Sequence, residues 1–201
     1  MAIREDLTSR SGADNCAAWW YPQAAEPPTP IVVMAHGLTG TRRDRLGPFA
    51  ERFAAAGFAA LVFDHRGFGE SEGEPDRFVP AWQLPDWRAA IEFARRLPGV
   101  DPDQVVTFGS SMGGGNALAA AANDRRVAAA ISQVPFLDIV TQAHRGPLHV
   151  TQRMLDAAAR NEYLPAVGEP DEAALINAPA SGSSRRSTGS GHPRCPAGSA
   201  R

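Results

Sequence analysis

The segment Val105 to Asn116, VVTFGSSMGGGN, constrains this chain more than any other. A short apolar run rich in β-branched residues enters Gly109-Ser110-Ser111-Met112-Gly113, and an alanine-rich helical pattern leaves it. The order is strand, sharp turn, helix. A G-x-S-x-G turn of this kind holds its central serine in a strained backbone conformation, with the hydroxyl exposed above the sheet. Gly109 and Gly113 leave space where side chains would collide across the turn. The free N–H groups at the start of the following helix point back at the serine and favour negative charge there. The bland alternative is a glycine-rich turn that merely starts a packed helix, and the strand before and helix after are what argue against it.

A chain of 201 residues allows one domain with a substantial core. Its 43% hydrophobic and 21% charged fractions fit a globular protein. The net charge of −2 argues against a nucleic-acid partner. The apolar run from Phe53 to Phe63 is too short to span a bilayer, and the start, MAIREDLTSR, has no apolar signal core. Cys16 and Cys195 lie far apart without metal-ligand spacing. The expectation is a cytoplasmic protein with free thiols, no membrane contact, no metal and no organic cofactor.

Ile3 to Arg10 and Cys16 to Tyr21 flank a turn-rich stretch and read as an opening hairpin, with Trp19-Trp20-Tyr21 as packing residues. The proline-rich stretch from Pro22 to Pro30 reads as a connection. Ile31 to Ala35 and Ala59 to Phe63 are continuous apolar runs, as strands buried on both faces require. Between them, Arg45 to Ala56 has helical periodicity through Leu46, Phe49 and Phe53, with Gly57 as its stop. Trp82 to Leu97 is amphipathic, with Trp87, Ala90, Ile91 and Ala94 inward. Gln104 to Phe108 is the strand before Ser111, Met112 to Asn123 the helix after it, and Val127 to Val134 one more strand. These repeats imply an α/β fold: a mostly parallel sheet with helices on both faces and right-handed crossovers. His36, Asp64 and Ser111 all fall at the carboxyl ends of strands, the edge where such sheets bind ligands.

The pattern changes after residue 136. Residues 1–136 read as the core, 137–179 as covering helices, and 180–201 as a disordered tail. That tail contains no Val, Ile, Leu, Met, Phe, Trp or Tyr, and it cannot bury enough apolar surface to offset its ordering entropy.

Three motifs in order, His36-Gly37-Leu38, Asp64-His65-Arg66-Gly67-Phe68-Gly69-Glu70-Ser71 and Gly109-Ser110-Ser111-Met112-Gly113, resemble the α/β-hydrolase superfamily. The likeness is to its serine aminopeptidase-like, dienelactone hydrolase-like and X-Pro peptidase-like members and covers roughly residues 3–178. The resemblance implies Ser111 as nucleophile and the backbone N–H groups of Leu38 and Met112 as an oxyanion hole. It makes His36, Asp64, Arg66 and Gly69 loop-ordering residues, and a small-molecule acyl compound the substrate.

The superfamily order is serine, then acid, then histidine, each on a later strand. No β-type apolar run follows Val134, so the core is expected to lack its last strands. Asp138 sits where some members place the acid, although an aspartate there also reads as a helix start. His144, His149 and His192 remain as histidines, the base is unassigned, and turnover is expected to be impaired. A broken reading frame near Ala180 and a natural short form needing a partner chain both account for the ending. A non-catalytic, hydrolase-like binding or remnant protein is the competing function. The last strand is expected to leave an exposed sheet edge open to self-association.

Overall fold

The computed structural model describes residues 4–23, 27–137 and 164–165. Strands β1 (Glu5–Ser11) and β2 (Asp14–Tyr21) form an antiparallel hairpin turning at Gly12. There follow β3 (Thr29–Ala35), α1 (Leu46–Ala55), β4 (Ala59–Phe63), β5 (Arg77–Phe78), α2 (Pro80–Ala94) and β6 (Val100–Ser110). Then come α3 (Met112–Asn123), β7 (Val127–Gln133) and β8 (Leu164–Pro165). A six-stranded sheet has the order β1-β2-β4-β3-β6-β7, and β5 pairs separately with β8. From β4 to β7 all pairings are parallel, while the hairpin joins antiparallel through β2. The fold is α/β, with the mostly parallel sheet that the repeats imply.

Alternation along each strand divides the core in two. Ile31, Val33 and Ala35 of β3, with Leu61 and Phe63 of β4, face α2 and α3, packing on Trp87, Ala90, Ile91, Ala94, Ala117 and Ala120. Val32, Met34, Ala60 and Val62 face the other way, onto Leu46 and Ala50 of α1 and onto Trp19, Tyr21 and Phe108. A strand buried on both faces needs an unbroken apolar run, which is why IVVMA and AALVF carry no alternation.

Two boundaries and one buried face differ from the sequence expectation for identifiable local reasons. Strand β3 reaches back through Pro30, which has no N–H to give; the ladder with β6 shifts register between Thr29 and Ile31, and the shift accommodates it. Strand β6 begins at Val100, where Thr29 pairs with it, because pairing extends a strand past its apolar run. Helix α1 turns Ala50 inward and leaves Phe49 38% exposed and Ala56 outside, so its buried stripe is narrower than the aromatic spacing suggests. The expected covering helices and tail lie outside the described residues, apart from Leu137 and the pair 164–165.

Non-consecutive strand order decides where the chemistry collects. Ala35, the last residue of β3, pairs with both Phe63 of β4 and Gly109 of β6, and Ser110 pairs with Gln133 of β7. The segments that follow these strands therefore leave the same edge side by side.

Trp87 is fully buried beneath the sheet and meets Phe63 edge-to-face at 5.3 Å. Trp87→Ala is expected to lower unfolding free energy by about 3–5 kcal/mol, measured by urea denaturation. A loss under about 1 kcal/mol contradicts this packing.

Candidate active site

Ser111 sits between β6 and α3 with φ 55° and ψ −125°, a conformation that non-glycine residues seldom adopt. Hydrogen bonds hold it from both sides. Its N–H donates to the Gln133 carbonyl at 2.9 Å, and its carbonyl accepts from Gly115 N–H at 3.1 Å and Phe136 N–H at 2.9 Å. The end of β7 thus braces the turn, while the Ser111 side faces solvent.

The turn closes this tightly only because glycines flank it. A β-carbon on Gly109 would overlap the Gly113 carbonyl and stand 2.7 Å from Gly114 N. One on Gly113 would overlap the His36 carbonyl and stand 2.8 Å from that of Ala35. The second contact presses the start of α3 against the end of β3. Gly37 lies in the same place from the other side, where an added β-carbon would be 3.2 Å from Ser111 Cβ and 3.7 Å from Ser111 Oγ.

The loop after β3 is ordered by His36. Its Nδ1–H donates to the Gly37 carbonyl at 2.7 Å, and its Nε2 accepts the His65 N–H at 3.3 Å. That pattern is a neutral imidazole, and burial, with His65 beside it, pulls its pKa down to about 3. In a trans peptide the Gly37 carbonyl and the Leu38 N–H point in opposite directions, so fixing one fixes the other. Leu38 N–H and Met112 N–H carry no hydrogen bond to another described residue. The side chains of Leu38 and Met112 converge on Phe68 and Phe78.

The loop after β4 is tied down by two buried carboxylates. Asp64 accepts the Arg42 N–H at 2.5 Å and pairs with the Arg42 guanidinium, which also reaches Glu70. Asp86, from α2, accepts Ser11 Oγ–H and Arg66 Nε–H, both at 2.6 Å, and contacts His65 Nδ1 at 3.2 Å. Burial opposes ionisation of Asp86, but the hydrogen bonds from His65 and Ser11 and the Arg66 charge outweigh it and hold the carboxyl below its usual range. The sequence reading assigns Asp64, Arg66 and Gly69 to loop ordering, and these contacts agree for Asp64 and Arg66. It missed Arg42, Asp86 and Phe78.

Asp138, His144, His149 and His192 lie outside the described residues. Within them, His36 and His65 are both buried and bonded into the loops. A separate cavity of about 300 Å³ between α2 and α3 is lined by Leu84, Arg88, Ile91, Arg95 and Asn123, among others. Asn123 ends α3, about 17 Å along the helix from Ser111, so this cavity is not part of the site.

A family profile described as serine aminopeptidase, S33, matches residues 26–184. The quorum-quenching protein AidA of Acinetobacter baumannii is 44% identical over 185 residues, covering 87% of this chain and 61% of that protein. The thiohydrolase aneE of Aspergillus aculeatus is 39% identical over 110 residues, covering 54% of this chain and 35% of its own length. The crystal structure of the α/β hydrolase GrgF from Penicillium superposes with TM-score 0.64 at 27% identity, covering 85% of this chain and 60% of that one. The chain spans at most about three fifths of the length of these relatives.

The depressed His36 pKa makes a signed prediction. The unfolded chain takes up a proton near pH 6.5 that the folded state refuses until about pH 3. Stability is therefore full above pH 6.5 and declines as pH falls toward 3, by up to about 1.4 kcal/mol per pH unit. His36→Gln should flatten that decline in chemical denaturation measured across the range. An unchanged slope in the variant contradicts the buried neutral imidazole.

Proposed function

The chain belongs to the serine aminopeptidase, S33, family of α/β hydrolases, and from that premise we propose that it is a serine hydrolase acting through an acyl-enzyme at Ser111. The observation that carries this is the strained, doubly braced backbone of Ser111 with Gly37 packed against its hydroxyl. Ser111 Oγ bonds to the acyl carbon of an ester, thioester or amide as the bond to the leaving group breaks. The serine proton passes to the leaving oxygen, sulfur or nitrogen, and water then releases the acid. Leu38 N–H and Met112 N–H, with the start of α3 behind them, stabilise the developing oxyanion. Likeness to a thiohydrolase supports thioesters among the bonds cleaved.

The base and its acid partner come from outside the described residues, with Asp138 the acid candidate. A second function, binding without catalysis, is favoured by one observation: the described histidines are both buried and committed to loop hydrogen bonds. A cytoplasmic setting accompanies the hydrolase proposal, supported by Cys16, a free buried thiol whose pKa burial pushes up to about 12. None of the described helices is long and apolar enough to cross a membrane.

Rapid mixing with a p-nitrophenyl ester tests the two functions. The acyl-enzyme account expects a nitrophenol burst close to stoichiometric with protein, abolished in Ser111→Ala. Equal release by both proteins rejects it.

Self-association through β7 belongs to the same proposal. The strand VAAAISQ is uncharged, forms one end of the sheet, and continues into Val134 and Leu137, which are 77% and 64% exposed. Sedimentation should detect concentration-dependent association that Ile131→Lys weakens. A monomer at all concentrations contradicts it.

A further inference from the structure

Helices α2 and α3 enclose the cavity of about 300 Å³ that lies away from Ser111. That volume is at the low end of small-molecule pockets, roughly 300–1,000 Å³. Leu84, Arg88, Ile91 and Arg95 recur at helical spacing, so one face of α2 brings both apolar and cationic side chains to it. Ile91 and Ala120 of α3, both buried, form the apolar wall, and the exposed Leu84 extends it toward solvent.

Arg95 lines this cavity with a side chain only 4% exposed. Its Nε–H donates to the Pro102 carbonyl at 3.1 Å, and Nη1 donates to Glu92 at 2.6 Å and to Asp124 at 2.7 Å. Nη2 is buried and has no hydrogen-bond partner among the described residues. A buried donor without an acceptor is costly, so the site favours a molecule that supplies one. The charges around it are unequally committed. Asp124 also accepts the Arg126 N–H at 3.0 Å, and the Arg126 guanidinium is held by Asp103. Glu92, by contrast, is 48% exposed and meets Arg95 through Nη1 alone. Arg88, exposed in the same wall, has no ion pair among the described residues.

We propose that this cavity binds a small monocarboxylate with an apolar body, whose two oxygens take Nη1 and Nη2 of Arg95 as a fork while its hydrocarbon lies on Ile91, Ala120 and Leu84. Glu92 is the group it displaces. An exposed ion pair contributes little, so Glu92 returns to water at small cost, whereas the incoming carboxylate gains two parallel charge-assisted bonds and satisfies Nη2. Arg88 adds the unpaired positive charge that balances the newcomer. A cation has no such place, because both carboxylates of the cavity already face Arg95. The length of α3 separates this cavity from Ser111, so the proposal does not depend on the role of that serine.

The test is a nuclear magnetic resonance titration of the full-length protein, isotope-labelled at its isoleucine methyl groups, with phenylacetate and with the neutral phenylacetamide. The Ile91 methyl signal, assigned with Ile91→Val, should shift saturably with phenylacetate at a Kd on the order of 1 mM, and the amide should bind at least about tenfold more weakly. Glu92→Ala should tighten phenylacetate binding about two- to fivefold and Arg88→Ala should weaken it by a similar factor. Both positions are exposed, so these variants keep the test intact even if Arg95→Lys does not fold. Arg95→Lys, which keeps the charge and loses the fork, should weaken binding at least about tenfold. Ser111→Ala should leave every value unchanged; loss of binding in that variant places the acid at the serine and overturns the proposal. An unmoved Ile91 signal at about 10 mM phenylacetate overturns it, as do equal binding of acid and amide and weaker binding in Glu92→Ala. Magnetisation transfer from the Ile91 methyl to residues 138–163 or 166–201 overturns it too, because the chain then fills the cavity itself.

Discussion

Everything at the carboxyl edge of this sheet depends on three backbones meeting without side chains between them. The end of β3, the turn after β6 and the first turn of α3 touch through Gly109 and Gly113, where even a methyl group would overlap a carbonyl oxygen. This closeness aims the start of α3 at Ser111 and lays Gly37 against its hydroxyl. The strained φ of Ser111 persists because the surroundings over-determine it, through Gln133 on one side and Gly115 and Phe136 on the other. Strand β7 is thus part of the support of the Ser111 turn as well as the end of the sheet.

The stability behind this geometry comes from the two apolar layers, not from the buried ion pairs. A buried pair's attraction is largely offset by the desolvation of both partners, whereas removing one partner costs about 3–5 kcal/mol. Asp64–Arg42 and Asp86–Arg66 therefore act chiefly as locators. The first joins the loops after β3 and β4; the second joins α2 to the loop after β4 and, through Ser11, to the end of β1. His36 completes the arrangement by donating to the Gly37 carbonyl while accepting the His65 N–H, a pair of roles that only the neutral ring can fill.

The elements that carry the site were legible because each has a local signal. Strands buried on both faces leave unbroken apolar runs, and the turn at Ser111 leaves glycines at fixed offsets. Trp87, Ala90, Ile91 and Ala94 were readable as an inward stripe because an amphipathic helix repeats it. Asp86 was not, since an aspartate on a helix next to that stripe resembles an ordinary surface charge until Ser11, His65 and Arg66 arrive from elsewhere in the chain. Phe78 escaped for a different reason: a two-residue strand has no period to detect, and its partner lies 86 positions away at Leu164. Pro30 was excluded from a strand by the rule that proline interrupts a ladder, and a register shift between strands overrode that rule.

The proposed hydrolase function requires this folded edge to activate one particular serine, with a base supplied from beyond the residues that build the turn. Peptide mapping by mass spectrometry after reaction with diisopropyl fluorophosphate tests it most directly, because Ser110 is adjacent in sequence and exposed to the same reagent. The account predicts a phosphoryl adduct confined to Ser111 in the folded protein and lost on denaturation before exposure. An unmodified folded protein, or an adduct shared between Ser110 and Ser111, would contradict it.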